Sequence, residues 1–231
     1  GGFISAASPT GSEGAFVDML GNNNVVNGGR IVGGDATQQG AFINIECDHG
    51  ITNSGIIWAG NGLSGGDGGF VRIRAGGNYE NSGPVRAGSG DGNGEGGRVD
   101  VKSMQFYNHD TVKAGDSPAS KGGSVSIEGG GFGNKTSAIV SPGGGPLGVG
   151  SLNITCPTDW LINSGSLGRK TRDNQYVGNV FIACNYVELA LDSSDFINAD
   201  TLVVVGRDIV VTTSGRDARI LADNDNRFYL V

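Results

Sequence analysis

The chain has 231 residues, 44 of them Gly and only 6 Pro, with a formal net charge of −7. The acidic balance argues against a nucleic-acid partner, which needs clustered Lys and Arg. No run of about 18 apolar residues exists to span a membrane as a helix. Val and Ile carry much of the hydrophobic content, which favours strands, and the glycines recur periodically, as disorder would not require. The chain starts Gly1-Gly2-Phe3 without a signal-peptide pattern, so any targeting segment is expected to lie outside it.

Taken in chain order, each predicted strand opens on an apolar residue: Val17, Ile43, Val71, Val99, Val125, Leu152, Val180 and Val203. Two positions on stand Met19, Ile45, Ile73, Val101, Ile127, Ile154, Ile182 and Val205, and a period of two places both columns on one face. The next position on that face is small: Gly21, Cys47, Ala75, Ser103, Gly129, Cys156 and Cys184. All three cysteines fall there, where Cys serves as a compact hydrophobe. A Cys156–Cys184 disulfide between neighbouring coils is the sharper alternative, since adjacent strands about 4.8 Å apart lie within the permitted Cα range. The odd count and the spacings match no zinc pattern.

A further apolar column follows at Val25, Ile51, Tyr79, Phe106, Phe132 and Leu161. Its aromatic run reads as stacked core, with a carbohydrate-stacking platform as the alternative. The turn after it carries Asn27, Asn53, Asn81, Asn108, Asn134 and Asn163. Asn tolerates left-handed backbone and its amide can bond to the next Asn in a stack, so these read as a structural turn ladder. The third strand follows with Ile31, Ile57, Val85, Val112, Ile139, Leu167, Ile197 and Ile220 inward. Two residues later come Gly33, Ala59, Ala87, Ala114, Ser141 and Ala199. Gly-rich polar loops of unequal length close the repeats at 35–40, 61–68, 88–96, 116–122, 142–150 and 171–177, and are expected at the surface.

A unit of two or three short strands cannot bury its apolar face alone, but copies stacked on one another can. The expected fold is therefore all-β: a right-handed parallel β-helix, one domain over 1–231, of about eight coils of 23–28 residues. Phe3-Ile4-Ser5-Ala6 matches Arg30-Ile31-Val32-Gly33, and Phe228 and Leu230 fit the first strand of a further coil. Neither end shows a polar or helical cap, so a segment of a longer solenoid, or one joined head to tail to copies of itself, is expected.

The outward columns read Asp18, Asn44, Arg72, Asp100, Ser126, Asn153, Phe181 and Leu20, Glu46, Arg74, Lys102, Glu128, Thr155, Ala183. Opposite charges fall side by side in three pairs: Glu46 with Arg74, Lys102 with Glu128, and Arg72 with Asp100. Asp100 and Glu128 are the nearest approach to the paired acids of a glycosidase or lyase, but neighbouring cations neutralise them, so no catalytic residue is assigned. Asp91, Asn93 and Glu95 resemble the first half of a calcium loop, yet Lys102 stands where the twelfth-position acid belongs. Calcium is kept as an alternative to an expectation of no cofactor. His49 and His109 are out of phase with each other. Asn134 and Asn153 head glycosylation sequons. Ordered Thr rows of an ice-binding face are absent.

The Gly-Gly-x-Val-x-Ile strands followed by Asn-Ser-Gly-x-Ile/Val-x-Ala-Gly resemble β-helical bacterial surface proteins. Val203-Val204-Val205-Gly206-Arg207-Asp208-Ile209-Val210-Val211 is similar in style to filamentous-haemagglutinin repeats. The resemblance implies an adhesive role and transfers no functional residue. The resulting expectation is a structural or adhesive, non-enzymatic solenoid: an extracellular or cell-surface rod segment of a fibre, stalk or adhesin. Its partners would be flanking coils or copies of itself, with a polysaccharide or host surface beyond them. The alternative is a polysaccharide-binding or -cleaving β-helix of lyase or phage-tailspike type.

Overall fold

The computed structural model describes residues 2–6, 13–168, 178–192, 196–214 and 219–230; the loop expected at 171–177 lies outside them. Among the described residues there are twenty strands and no helix, and every strand pairing is parallel. The protein is a parallel β-solenoid.

Each coil has three sides. Phe70–Ala75 forms the first, Asn78–Asn81 the second and Val85–Arg86 the third. From Val99–Asn108 onward the first two sides merge into one bent strand. Every side hydrogen-bonds to its equivalents above and below, so the period-two pattern of one coil is copied in register to the next. Val71 pairs with Ile43 and Val99, Tyr79 with Ile51 and Phe106, and Val85 with Ile57 and Val112. These inward side chains are almost wholly shielded from solvent. Removing one Val, Ile or Phe side chain from water contributes about 1.5–3 kcal/mol, and only stacking makes that burial available to strands this short. Phe3–Ala6 pairs with Arg30–Gly33 as the sequence match anticipates.

The complete pattern of three sides and a loop is built about six times rather than the eight expected. The last coils depart from it. Phe196–Val205 is a single strand whose first half stacks on the third side, Leu167 on Ile197, and whose second half stacks on the first side, Val180 on Leu202. No glycine-rich loop intervenes there.

Three apolar inward assignments, and the small residue that follows one of them, shift by one residue. Leu202 and Val204, not Val203 and Val205, continue the first-side columns, and both are fully buried. Val140, not Ile139, pairs with Val112 and Leu167, and Ser141 consequently lies opposite Lys113 rather than Ala114. In each case neighbouring residues are both apolar, so alternation alone cannot choose between two registers that face opposite ways.

The glycine-rich loops are more ordered than unequal surface loops would be. Their bases form a hydrogen-bonded zigzag that climbs the solenoid. Gly60 O accepts from Gly69 N at 2.8 Å, Gly69 O from Gly88 N at 3.1 Å, and Gly88 O from Gly97 N at 2.8 Å. The pattern continues through Gly97, Gly115, Gly123, Gly143 and Gly150. A Cβ on Gly88, Gly115 or Gly143 would overlap the carbonyl oxygen of the glycine one coil below, so this close backbone packing requires glycine. Outside the zigzag, side chains tie loop to loop. Asp35 Oδ1 accepts from Asn61 N at 2.6 Å, Asn61 Oδ1 from Ser89 N at 2.8 Å, and Asp116 Oδ1 from Gly144 N at 2.8 Å.

Candidate functional site

Side chains inside the turn form one continuous chain of amides. Asn27 Nδ2 donates to Asn53 Oδ1 at 2.7 Å, Asn53 to Asn81 at 2.7 Å and Asn81 to Asn108 at 2.9 Å. Asn108 donates to Asn134 at 2.9 Å and Asn134 to Asn163 at 2.8 Å, and Asn163 ends the run on Gly165 O at 2.8 Å. In the next coil the position is Leu189. None of the six Asn residues has positive φ; among the described non-glycine residues only Ser64 and Ser137 do. The amide, rather than any left-handed backbone, is what the position uses. The Asn134 side chain is thereby buried, although Lys135 and Thr136 of its sequon are exposed, while Asn153 is half-exposed and donates to Ser151 Oγ at 3.2 Å.

The small inward column sets Cys47 opposite Ala75, Ser103 opposite Gly129 and Cys156 opposite Cys184. The three cysteines are free thiols and buried. Cys47 Sγ donates to Asn23 O. Cys156 and Cys184 are hydrogen-bonded to each other, and that bond, with burial, pushes the Cys156 thiol well above its ordinary range. The disulfide alternative is therefore not the state seen. The column Tyr79, Phe106, Phe132 is fully buried, with Tyr79 and Phe106 stacked at 4.8 Å and 9°. It is core and has no face open to a sugar.

On the first-side exterior, Lys102 and Glu128 form an ion pair at 2.7 Å. The other two expected pairs do not close. Asp100 lies 3.8 Å from Arg98, its neighbour two residues earlier. Arg72 instead sits over the rings of Phe42 and Phe70, at 5.3 and 5.4 Å from their centroids. Glu46 and Arg74 are register partners without an ion pair among the described residues. Asp100 and Glu128 line one shallow depression of about 150 Å³ together with Arg72, Arg74 and Lys102. Each carboxylate there faces a cation. A column that sequence reading missed runs through Phe16, Phe42 and Phe70 at 4.8 Å per step, the first pair stacked at 17° and the second tilted at 45°. It lies one residue before each strand's first inward position, where the repeat alignment did not look.

In the proposed calcium loop, Asp91 Oδ2 accepts from Ser64 N at 3.0 Å and Oδ1 from Gly92 N at 2.8 Å. Glu95 lends its backbone N to Asp67 Oδ1 at 2.7 Å, and Asn93 makes no side-chain bond among the described residues. No group of three His, Cys, Asp or Glu side chains converges among the described residues. His109 Nε2 lies 4.0 Å from Glu80 Oε1 at the surface.

An open hollow lies at a corner between the first and second sides. Register shifts there on both sides of the strand Leu152–Asn163: four positions separate Glu128 from Phe132, but six separate the equivalent Thr155 and Leu161. The excess residues push Pro157, Thr158 and Asp159 outward as a ridge. Below the ridge lies a cavity of about 540 Å³, whose lining includes Met104, Gln105, Glu128, Gly130, Thr158 and Asp159. Beside it Trp160 is seated on two glycines. A Cβ on Gly131 would lie 2.9, 3.1 and 3.3 Å from indole Cε2, Cζ2 and Cδ2, and one on Gly133 would lie 3.6 Å from Cζ3. A point that close to both Cε2 and Cδ2 lies over the ring face, so the indole rests flat along the strand. Tyr107 packs against it with centroids 5.9 Å apart and donates its hydroxyl to Gln105 Oε1 at 2.7 Å. The signal in the sequence was outward glycines at i and i+2 beside a Trp in the next coil, legible only once the register is known.

Comparison with protein-family models, curated proteins and solved structures gives no match for this chain.

Proposed function

We propose that this protein is a structural and adhesive segment of an extracellular β-solenoid rod, of the kind found in fibres, stalks and filamentous-haemagglutinin-like adhesins. The observation that carries the reading is mechanical continuity. Inward columns, the asparagine chain and the glycine zigzag each bond one coil to the next, so the described coils form a stiff stack tied through three separate ladders. Solenoids behave as quasi-one-dimensional elements that present a long lateral surface. The depression containing Asp100 and Glu128 has each acid facing a cation, which suits a solvated rod face better than acid–base chemistry. Immunogold electron microscopy of the source cells, with antibody raised against this chain, tests the proposal. Label along extended structures at the cell surface is the expected result; label confined to the cell interior refutes it.

A further inference from the structure

We infer that the corner below the Pro157–Asp159 ridge is a binding site for a hexose polysaccharide, engaged through the Trp160 indole face. The inference deepens the adhesive half of the proposed function by naming a ligand class and a place on the rod.

Trp160 is half-buried, and its inner face lies on the backbone of Gly131 and Gly133. The opposite face is directed away from the sheet. An indole face carries negative quadrupolar charge, which attracts the weakly positive C–H face of a pyranose ring. Two glycines at i and i+2 remove the side chains that would lift the indole onto its edge, so the ring is held flat before a ligand arrives. Tyr107 packs against it and fixes the flanking Gln105 by a 2.7 Å hydrogen bond, leaving the Gln105 amide nitrogen as a donor at the rim. The adjoining cavity of about 540 Å³ lies within the roughly 300–1,000 Å³ typical of small-ligand sites.

The polar groups around this cavity suit hydroxyls. Gln105, Thr158, Asp159 and the Glu128 carboxylate, the last already paired with Lys102, all belong to the lining. Donors and acceptors are mixed and no single sign of charge dominates, which matches a neutral polyol. The cavity lies on the lateral face of the stack, so a chain could pass along it without needing an end.

The test uses the whole chain carrying Trp58→Phe, which leaves Trp160 as the sole fluorophore of the two tryptophans. Cellohexaose, mannohexaose, chitohexaose and hexagalacturonate are titrated separately while tryptophan emission is followed. A saturable emission change with at least one neutral hexaose is expected, weakened at least tenfold by Gln105→Ala. Calorimetry on Trp160→Leu in the native Trp58 background is expected to show the same loss, with circular dichroism unchanged. Absence of a saturable response to every probe overturns the inference, as does a response to hexagalacturonate alone or binding that survives Gln105→Ala and Trp160→Leu within twofold. None of these results bears on surface labelling, so the site and the rod are tested separately.

Discussion

Replacing the central asparagine of the turn, Asn81→Ala, isolates what the amide chain contributes. Asn81 Oδ1 accepts from Asn53 Nδ2 at 2.7 Å and from the Tyr79 hydroxyl at 3.1 Å, and its Nδ2 donates to Asn108 Oδ1 at 2.9 Å. After truncation Asn53 Nδ2 still reaches Gly83 O at 3.4 Å. The Tyr79 hydroxyl and Asn108 Oδ1 do not have such a substitute among the bonds seen, and both residues are fully buried. Two orphaned buried groups at about 1–3 kcal/mol each give an expected loss of about 2–6 kcal/mol. Urea unfolding followed by far-UV circular dichroism reads it as a lower midpoint at unchanged slope. A second substitution sharpens the test. Tyr79→Phe in the native background removes a hydrogen bond and is expected to destabilise by about 1 kcal/mol. In the Asn81→Ala background it removes an orphan hydroxyl and is expected to stabilise instead. If Tyr79→Phe costs the same in both backgrounds, or Asn81→Ala costs less than about 1 kcal/mol, the reasoning that the asparagines act as one hydrogen-bonded chain is wrong.

Other consequences follow from the same geometry. Gly88→Ala drives a Cβ into Gly60 O and should destabilise by at least about 3 kcal/mol, whereas Gly28→Ala, whose nearest neighbour is Ser54 Oγ at 3.8 Å, should stay within about 0.5 kcal/mol; thermal melts of the two variants compare them. Lys102→Ala removes only an exposed ion pair and should shift stability by less than about 1 kcal/mol, an effect that vanishes in high salt. Burial holds Tyr79 far above its ordinary value of 10.0, so the folded state keeps a proton that the unfolded state loses; stability is fully present below about pH 10 and falls as pH rises beyond it. Absorbance titration should show Tyr79 ionising only with unfolding, a step that Tyr79→Phe removes. A thiol reagent should find no reactive cysteine in the native chain and three in denaturant.

The parallel solenoid was legible in the chain, because a solenoid repeats its physics. Each coil meets only its neighbours, so the inward columns led by Val71, Ile73 and Tyr79, and the asparagine at each turn, had to recur at the coil period and could be aligned by eye. Register became undetermined where alternation stopped: Leu202 to Val205 and Ile139-Val140 are apolar on both faces, and only the hydrogen bonds to Val180 and Val112 select the buried member. Charge partners were likewise left to the tertiary structure. Long side chains reach more than one neighbour, so Arg72 lies against Phe42 and Phe70 while Asp100 pairs with Arg98, just before its own strand. The glycine loops showed composition without showing that their carbonyls and amides interlock, since that contact joins segments of different coils. The corner site was the least legible feature of all. It depends on two extra residues between Thr155 and Leu161 and on two glycines one coil below, and neither signal has meaning until the coils are stacked in register.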